Sequence, residues 1–123
     1  MFAGLFGVPA HAQTPAYPAQ TIRIVVGFPA GGPSDVPARI LAEKLRVLGQ
    51  PVIVENKTGA GGTIGTDAVV KAAPDGHTLV MSDLGTMTIM PSLMKNMPYD
   101  LHKDLAPVTV LTYSPYLVAV TPS

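Results

Sequence analysis

Apolar positions along this chain come as short β-branched runs, divided by Gly/Pro loops and by stretches of helical spacing. The first run is Ile22-Arg23-Ile24-Val25-Val26. Four of its five residues are Ile or Val without strict alternation, which predicts a strand buried on both faces. Phe28 to Pro33 cannot be regular structure, because Pro29 and Pro33 have no amide to donate and Gly31 and Gly32 permit positive φ. Ser34 or Asp35 then supplies an N-cap oxygen, and the Asp35 carboxylate suits the positive end of a helix. That helix is predicted over Asp35 to Leu48. Val36, Ile40, Leu41, Leu45 and Leu48 form its apolar face, and Arg39 and Glu43 lie on its wet side. Pro37 falls in the first turn, where amides have no helical partner, and Gly49 stops the helix.

The pattern then repeats. Val52 to Glu55 predicts a second strand, Asn56 to Thr63 a second glycine-rich loop, and Ile64, Ala68, Val69 and Ala72 the apolar face of a second helix. Pro74-Asp75-Gly76 is a turn, and Thr78 to Ser82 a third strand. Connections of this length are not hairpins. The order β-α-β-α-β therefore requires parallel strands with crossover helices, an α/β fold with a parallel sheet flanked by helices. Right-handed crossovers place loops 28–34, 59–63 and 83–86 together at the carboxyl ends of the strands. Beyond Gly85 the pattern loosens. A short helix is expected around Thr88 to Met94, broken by Pro91. Met87, Met90, Met94 and Met97 recur at helical spacing and read as core filling rather than as a copper site. Pro107 to Leu111 and Tyr116 to Val120 are two further strand candidates.

Composition narrows the function. The 123 residues suffice for one domain with a real core, and 47% hydrophobic against 13% charged residues excludes a disordered chain. Lys plus Arg and Asp plus Glu number 8 each and are scattered, so no basic patch exists to neutralise phosphates, and nucleic acid is not an expected partner. Without cysteine there is no disulfide, thiolate metal site or thiol nucleophile. Met1 to Val8 is apolar, and Ala10-His11-Ala12 is a small-x-small triplet. Residues 1–12 thus read as the remnant of a secretory signal peptide cleaved after Ala12, too short to span a bilayer. Residues 13–19, with Pro15 and Pro18, read as an extended leader.

Candidate chemistry is sparse. His11, His77 and His102 fall in leader, turn and loop, and no H-E-x-x-H or carboxylate cluster at metal spacing occurs. There is no G-x-S-x-G elbow, so Ser34, Ser82 and Ser92 read as caps or surface hydroxyls. No catalytic residue, metal or cofactor is expected. The recurring feature is the glycine-rich strand-to-helix loop, and it supports two readings. Gly59-x-Gly61-x-x-x-Gly65, with Asp83 about twenty residues on, resembles the glycine pattern of a nucleotide-binding, Rossmann-like domain of an oxidoreductase, although it follows the second predicted strand. The other reading is a binding protein that grips an anion with backbone amides at helix starts.

A family resemblance chooses between them. Tyr17-Pro18, Phe28-Pro29-Ala30-Gly31-Gly32-x-Ser34-Asp35 and Ala38-Arg39 resemble the Bug receptors, the TctC family of periplasmic solute-binding proteins that serve tripartite tricarboxylate transporters. Leu48 to Asn56, Gly59-Ala60-Gly61-Gly62-x-x-Gly65, Ala73 to Gly76, Pro98-Tyr99-Asp100, Asp104 to Val108 and Thr121-Pro122-Ser123 match in order and spacing. Pro37 and His77 stand where other residues are usual.

The resemblance implies the first lobe of a type II periplasmic-binding-protein fold that closes on a small carboxylate and passes it to the membrane components of the transporter. Residues 20–114 would be that α/β lobe and residues 115–123 the start of a crossover to a second lobe. Family members are much longer, so the chain is expected to be an N-terminal fragment. The residues matching the family's ligand cleft are Phe28, Ala30, Gly31, Gly32, Ser34, Asp35, Gly61, Gly62, Thr63, Gly85 and Thr86. The resemblance implies that backbone amides, hydroxyls and ordered waters hold the ligand. No Arg or Lys falls in these loops, and Arg39→Ala is expected to matter little.

Overall fold

The computed structural model describes residues 16–115, 117 and 119–121. Strands β1 (Ile22–Val26), β2 (Val52–Asn56) and β3 (Thr78–Met81) form one parallel sheet in the order β2-β1-β3. Helix α1 (Asp35–Leu45) joins β1 to β2, and α2 (Thr63–Val70) joins β2 to β3. The first crossover steps from central β1 out to β2 and the second returns past β1 to β3, in opposite directions along the sheet, so right-handedness puts the helices on opposite faces. The α/β class read from the sequence holds.

Central β1 is buried because both of its edges are paired and both faces carry cover. Ile22, Ile24 and Val26 form one cluster with Ala38 and Ala42 of α1 and Val52 of β2, while Val25 is buried on the opposite face. Phe28, Leu41, Leu45, Val54, Leu79 and Met81 pack around that cluster. Ile24→Val removes one buried methylene and should cost about 0.5–1.5 kcal/mol. In a urea titration this lowers the midpoint and leaves the slope unchanged. An unchanged midpoint would place Ile24 outside the core.

Both helices differ from the expected faces. On α1 the buried residues are Asp35, Ala38 and Ala42, whereas Val36, Ile40 and Leu48 are 48%, 59% and 45% exposed. Small side chains let the helix axis approach the sheet, and the larger residues then flank the contact. On α2 the buried residues are Thr63, Gly65 and Thr66, and Ile64 is exposed. The reason is again close approach: a Cβ on Gly65 would lie 2.9 Å from the Lys57 oxygen and 3.0 Å from the Gly27 Cα. Helix α1 also ends early. Arg46–Leu48 tightens to a 3-10 turn, closed by Gly49 at φ 88°.

Three expectations for the second half need correction. Helical backbone runs from a wide π turn at Gly85–Ile89 into α3 (Met90–Leu93), and Pro91 does not break it, because it sits in the first turn of α3. Met87, Met90, Met94 and Met97 are half-buried and absent from the core cluster. Met87, Met94 and Met97 instead line an open cavity of about 620 Å³ with Tyr99 and Leu101. Pro107 to Leu111 forms no strand, with Val108 and Val110 more than 80% exposed. β-branched composition makes a strand only where a neighbour accepts its hydrogen bonds, and this run has no such neighbour among the described residues. A short helix, α4 (Leu101–Asp104), was not legible in the pattern. Asp100 caps it by accepting from the His102 amide at 3.0 Å. Residues 1–15 lie outside the described residues, as do Tyr116 and Val118 of the last strand candidate.

Candidate functional site

Three loops leave the carboxyl ends of the three parallel strands, and the structure brings them together as the topology requires. The Thr86 hydroxyl lies 2.8 Å from the Gly61 carbonyl oxygen and 2.9 Å from Asp83 Oδ1, and donates its one proton between them. This ties the loop after β3 to the loop after β2. The Phe28 ring, carried by the loop after β1, lies against Gly62. At Gly62 only glycine fits, since φ is +90° and a Cβ would fall 2.5 Å from Thr86 Oγ1.

Asp35 fixes the shape of the first loop. Its side chain is 1% exposed, and all three of its partners donate. The Gly31 amide reaches Oδ2 at 2.8 Å, Arg39 Nε reaches Oδ2 at 2.8 Å, and Asn56 Nδ2 reaches Oδ1 at 2.8 Å. The Arg39 guanidinium first, then the Gly31 amide and the Asn56 carboxamide, hold this carboxyl well below the usual carboxylate range. Asn56 completes the lock: it donates to the Phe28 carbonyl at 3.0 Å and accepts from Arg39 at 3.0 Å. The loop after β1, the start of α1 and the end of β2 thus share one network.

Several expectations change in this light. Arg39 is not simply on the wet side of α1, because its guanidinium is engaged with Asp35 and Asn56. Asp35 is not an N-cap. It is the first residue of α1, Ser34 holds the cap position, and Ser34 makes no side-chain cap bond. The amino end of α1 also offers few free amides. Asp35 and Val36 donate to the Gly32 carbonyl, Ala38 donates to Ser34, and Pro37 has nothing to donate.

The expected site residues therefore divide by what their polar groups do. Asp35, Thr63 and Thr86 are buried and act inward, Thr63 through a hydroxyl contact to Met94 Sδ at 3.7 Å. Phe28 and Gly62 pack against each other. Ala30, Gly31 and Gly61 are exposed, and Gly32, Ser34 and Gly85 are partly so. Among the described residues the Ala30 amide has no hydrogen-bond partner. Sequence reasoning missed two residues. Asn56 could have been found as a carboxamide placed beside β1 by the parallel register Val26–Asn56. Ser82, just past β3, has a buried hydroxyl with no partner among the described residues rather than a surface one.

The nucleotide reading loses its supports. The second Gly-rich loop follows edge strand β2, not central β1. Asp83, the candidate ribose acid, instead accepts from the Thr86 amide at 2.8 Å. Among the described residues no His, Asp and Glu side chains are grouped to hold a metal. No helix there is long and apolar enough to cross a membrane.

Comparison with known proteins gives a consistent result. Residues 37–123 match the family model TctC, the tripartite tricarboxylate transporter family receptor. Protein BugT of Bordetella pertussis is 43% identical over 99% of this chain and 38% of its own length. MatC from Rhodopseudomonas palustris, solved with bound malate, is 45% identical with a TM-score of 0.72 over 77% of this chain and 33% of that chain. Rpa4515 of R. palustris, solved with adipate, is 29% identical with a TM-score of 0.61 over 68% and 28%. The chain thus spans well under half the length of the proteins it matches.

Proposed function

This chain belongs to the tripartite tricarboxylate transporter family of receptors, and on that premise we propose that it takes part in capturing a small carboxylate-bearing solute in the periplasm for delivery to the membrane components of such a transporter. It does so as a binding lobe, without chemistry of its own. Residues 20–114 supply one wall of the ligand cleft.

The observation that carries this reading is the shared edge of three loops after β1, β2 and β3, held rigid from behind by Asp35 and Thr86. Its ligand-side groups are the Ala30 amide, the Ser34 hydroxyl and the exposed backbone of Gly61. Uncharged donors in a fixed array suit a carboxylate, which is acceptor-only and needs donors at several angles. Malate and adipate, bound by the two structural neighbours, are of this class.

The test is amide chemical-shift mapping of the chain with malate, adipate and the matching uncharged diamides, a readout suited to weak binding by one wall of a cleft. The acids should move resonances of residues 28–34, 61–63 and 85–86 and the diamides should not. Shifts confined to other surfaces, or equal shifts with the diamides, would defeat the assignment.

A further inference from the structure

The end of the sheet opposite the candidate site carries a second polar device, centred on His77. The segment Tyr17–Gln20 leads into β1 at Ile22 as a strap and is fastened to the turn Asp75–His77 by three hydrogen bonds. The Tyr17 hydroxyl donates to the Gly76 carbonyl at 2.8 Å, and Gln20 Nε2 donates to Asp75 Oδ2 at 2.9 Å, both exposed. Between them the Ala19 amide donates to His77 Nε2 at 3.1 Å, and the His77 side chain is only 9% exposed.

The two ring contacts fix the protonation state of the imidazole. A backbone amide can only donate, so Nε2 presents its lone pair to Ala19. A backbone carbonyl can only accept, and Nδ1 lies 3.0 Å from the Asp75 carbonyl oxygen, so Nδ1 carries the proton. The strap as observed therefore requires neutral His77 in its Nδ1–H form. A second proton has one place to go, Nε2, where it would point at the Ala19 N–H. A charged imidazolium would then be buried with a donor facing a donor, the costly arrangement for a desolvated polar group. Opening the strap relieves this by letting water reach Nε2.

The other groups around the ring do not remove the conflict. Asp75 Oδ1 lies 3.4 Å from Nδ1, and its attraction for the imidazolium acts on the side away from the strap, so it favours the added proton without restoring the Ala19 bond. The Tyr17 ring sits over the imidazole with centroids 4.8 Å apart and can adapt to either charge state. Strand β1 approaches with main chain only, the Arg23 amide donating to the His77 carbonyl at 2.7 Å, while the Arg23 guanidinium is engaged with Glu55.

We propose that His77 is a pH-sensitive latch that pins the strap Tyr17–Gln20 to the amino end of the sheet when neutral and releases it on protonation. Imidazole is the side chain whose ordinary titration falls between pH 5 and 8, a range open to an exported protein. The sign follows from the hydrogen bond: Nε2 can hold the Ala19 amide only while it keeps its lone pair, so pinning is favoured at higher pH and weakened at lower pH.

Two measurements on the full 123-residue chain test this. Nitrogen-15 imidazole spectra at pH 7.5 should show His77 as the Nδ1–H tautomer; an Nε2–H tautomer would overturn the proposal. Hydrogen-exchange protection of the Ala19 amide, corrected for intrinsic rate, should fall about tenfold or more between pH 7.5 and 5.5. His77→Gln can offer an acceptor to Ala19 and a donor to the Asp75 carbonyl without titrating, so its Ala19 protection should stay level over that range. Protection in the natural chain that does not change with pH, or that falls equally in His77→Gln, would refute the latch. The bonded amides of Gly31, held by Asp35 Oδ2, and Lys57, held by the Val26 carbonyl, should keep constant protection throughout, which separates strap release from general acid loosening.

Discussion

Gly27→Ala should destabilise the chain by about 3 kcal/mol or more, at or above the top of the usual range for overpacking. The added Cβ would lie 2.7 Å from the Gly62 Cα and 2.9 Å from the Gly62 oxygen. Both are backbone atoms, so no side-chain rotation relieves the clash. The end of β1 and the start of α2 must separate, and with them the contact between Phe28 and Gly62. For a domain of this size the expected fall in Tm is at least ~12 °C. Gly49→Ala is the control: φ is 88° there but no atom lies within 4 Å of the added Cβ, so only left-handed strain of about 1–2 kcal/mol applies. Equal effects at the two positions would show that the β1–α2 approach is not tight.

Asp35→Asn should have the second large effect, and it should act on shape and on pH response together. All three partners of this carboxylate are donors. An amide in its place turns one acceptor into a donor facing a donor, which unfastens the loop at residues 28–34. Carboxylate binding at that loop should weaken roughly tenfold or more, the scale of one lost charge-assisted hydrogen bond. Arg39→Ala should weaken it in the same direction and by less, because the Gly31 and Asn56 contacts remain. That ordering replaces the sequence-based expectation that Arg39 hardly matters. Loss on Arg39→Ala without loss on Asp35→Asn would contradict the network.

The acid response gives an independent readout. Asp35, Glu55, Asp75 and Asp100 all have carboxyls held below their ordinary range, by Arg39, Arg23, the His77 amide and Lys103 respectively as the leading cause. Below about pH 4, where unfolded carboxyls take up protons, the unfolded state binds more protons than the folded one. Stability therefore rises with pH through that window, is complete above it, and is lost as pH falls through the folded values. In Asp35→Asn the slope of stability against pH should diminish by about one proton over the window. An unchanged slope would mean that the Asp35 carboxyl takes up protons alike in the folded and unfolded chain, and that its three donors do not hold it low.

Much of the fold was legible along the chain because strands and crossovers leave local marks. The run Ile22–Val26, the Pro and Gly residues of the two loops and the length of the connections determine parallel strands, their order of appearance and three loops at one edge. The motif blocks determined the family. Which helix faces turn inward was decided by tertiary structure. Volume of approach, not hydrophobicity, governs a helix laid on a sheet, so Ala38, Ala42 and Gly65 are buried while Ile40 and Ile64 are not. The division of labour within the site was likewise invisible in one dimension. Asp35 and Arg39 meet through i,i+4 spacing on α1, but Asn56, 17 to 21 residues further on, joins them only because the parallel register of β1 with β2 sets it there. The same holds for His77, which reads as an exposed turn residue until the strap from 58 residues earlier is laid across it. Local sequence fixes backbone preference because those forces act within a few residues. Burial and hydrogen-bond partners depend on what the folded chain brings back from far away, and that decided which of the expected residues stand exposed at the loop edge and which hold the loops in place.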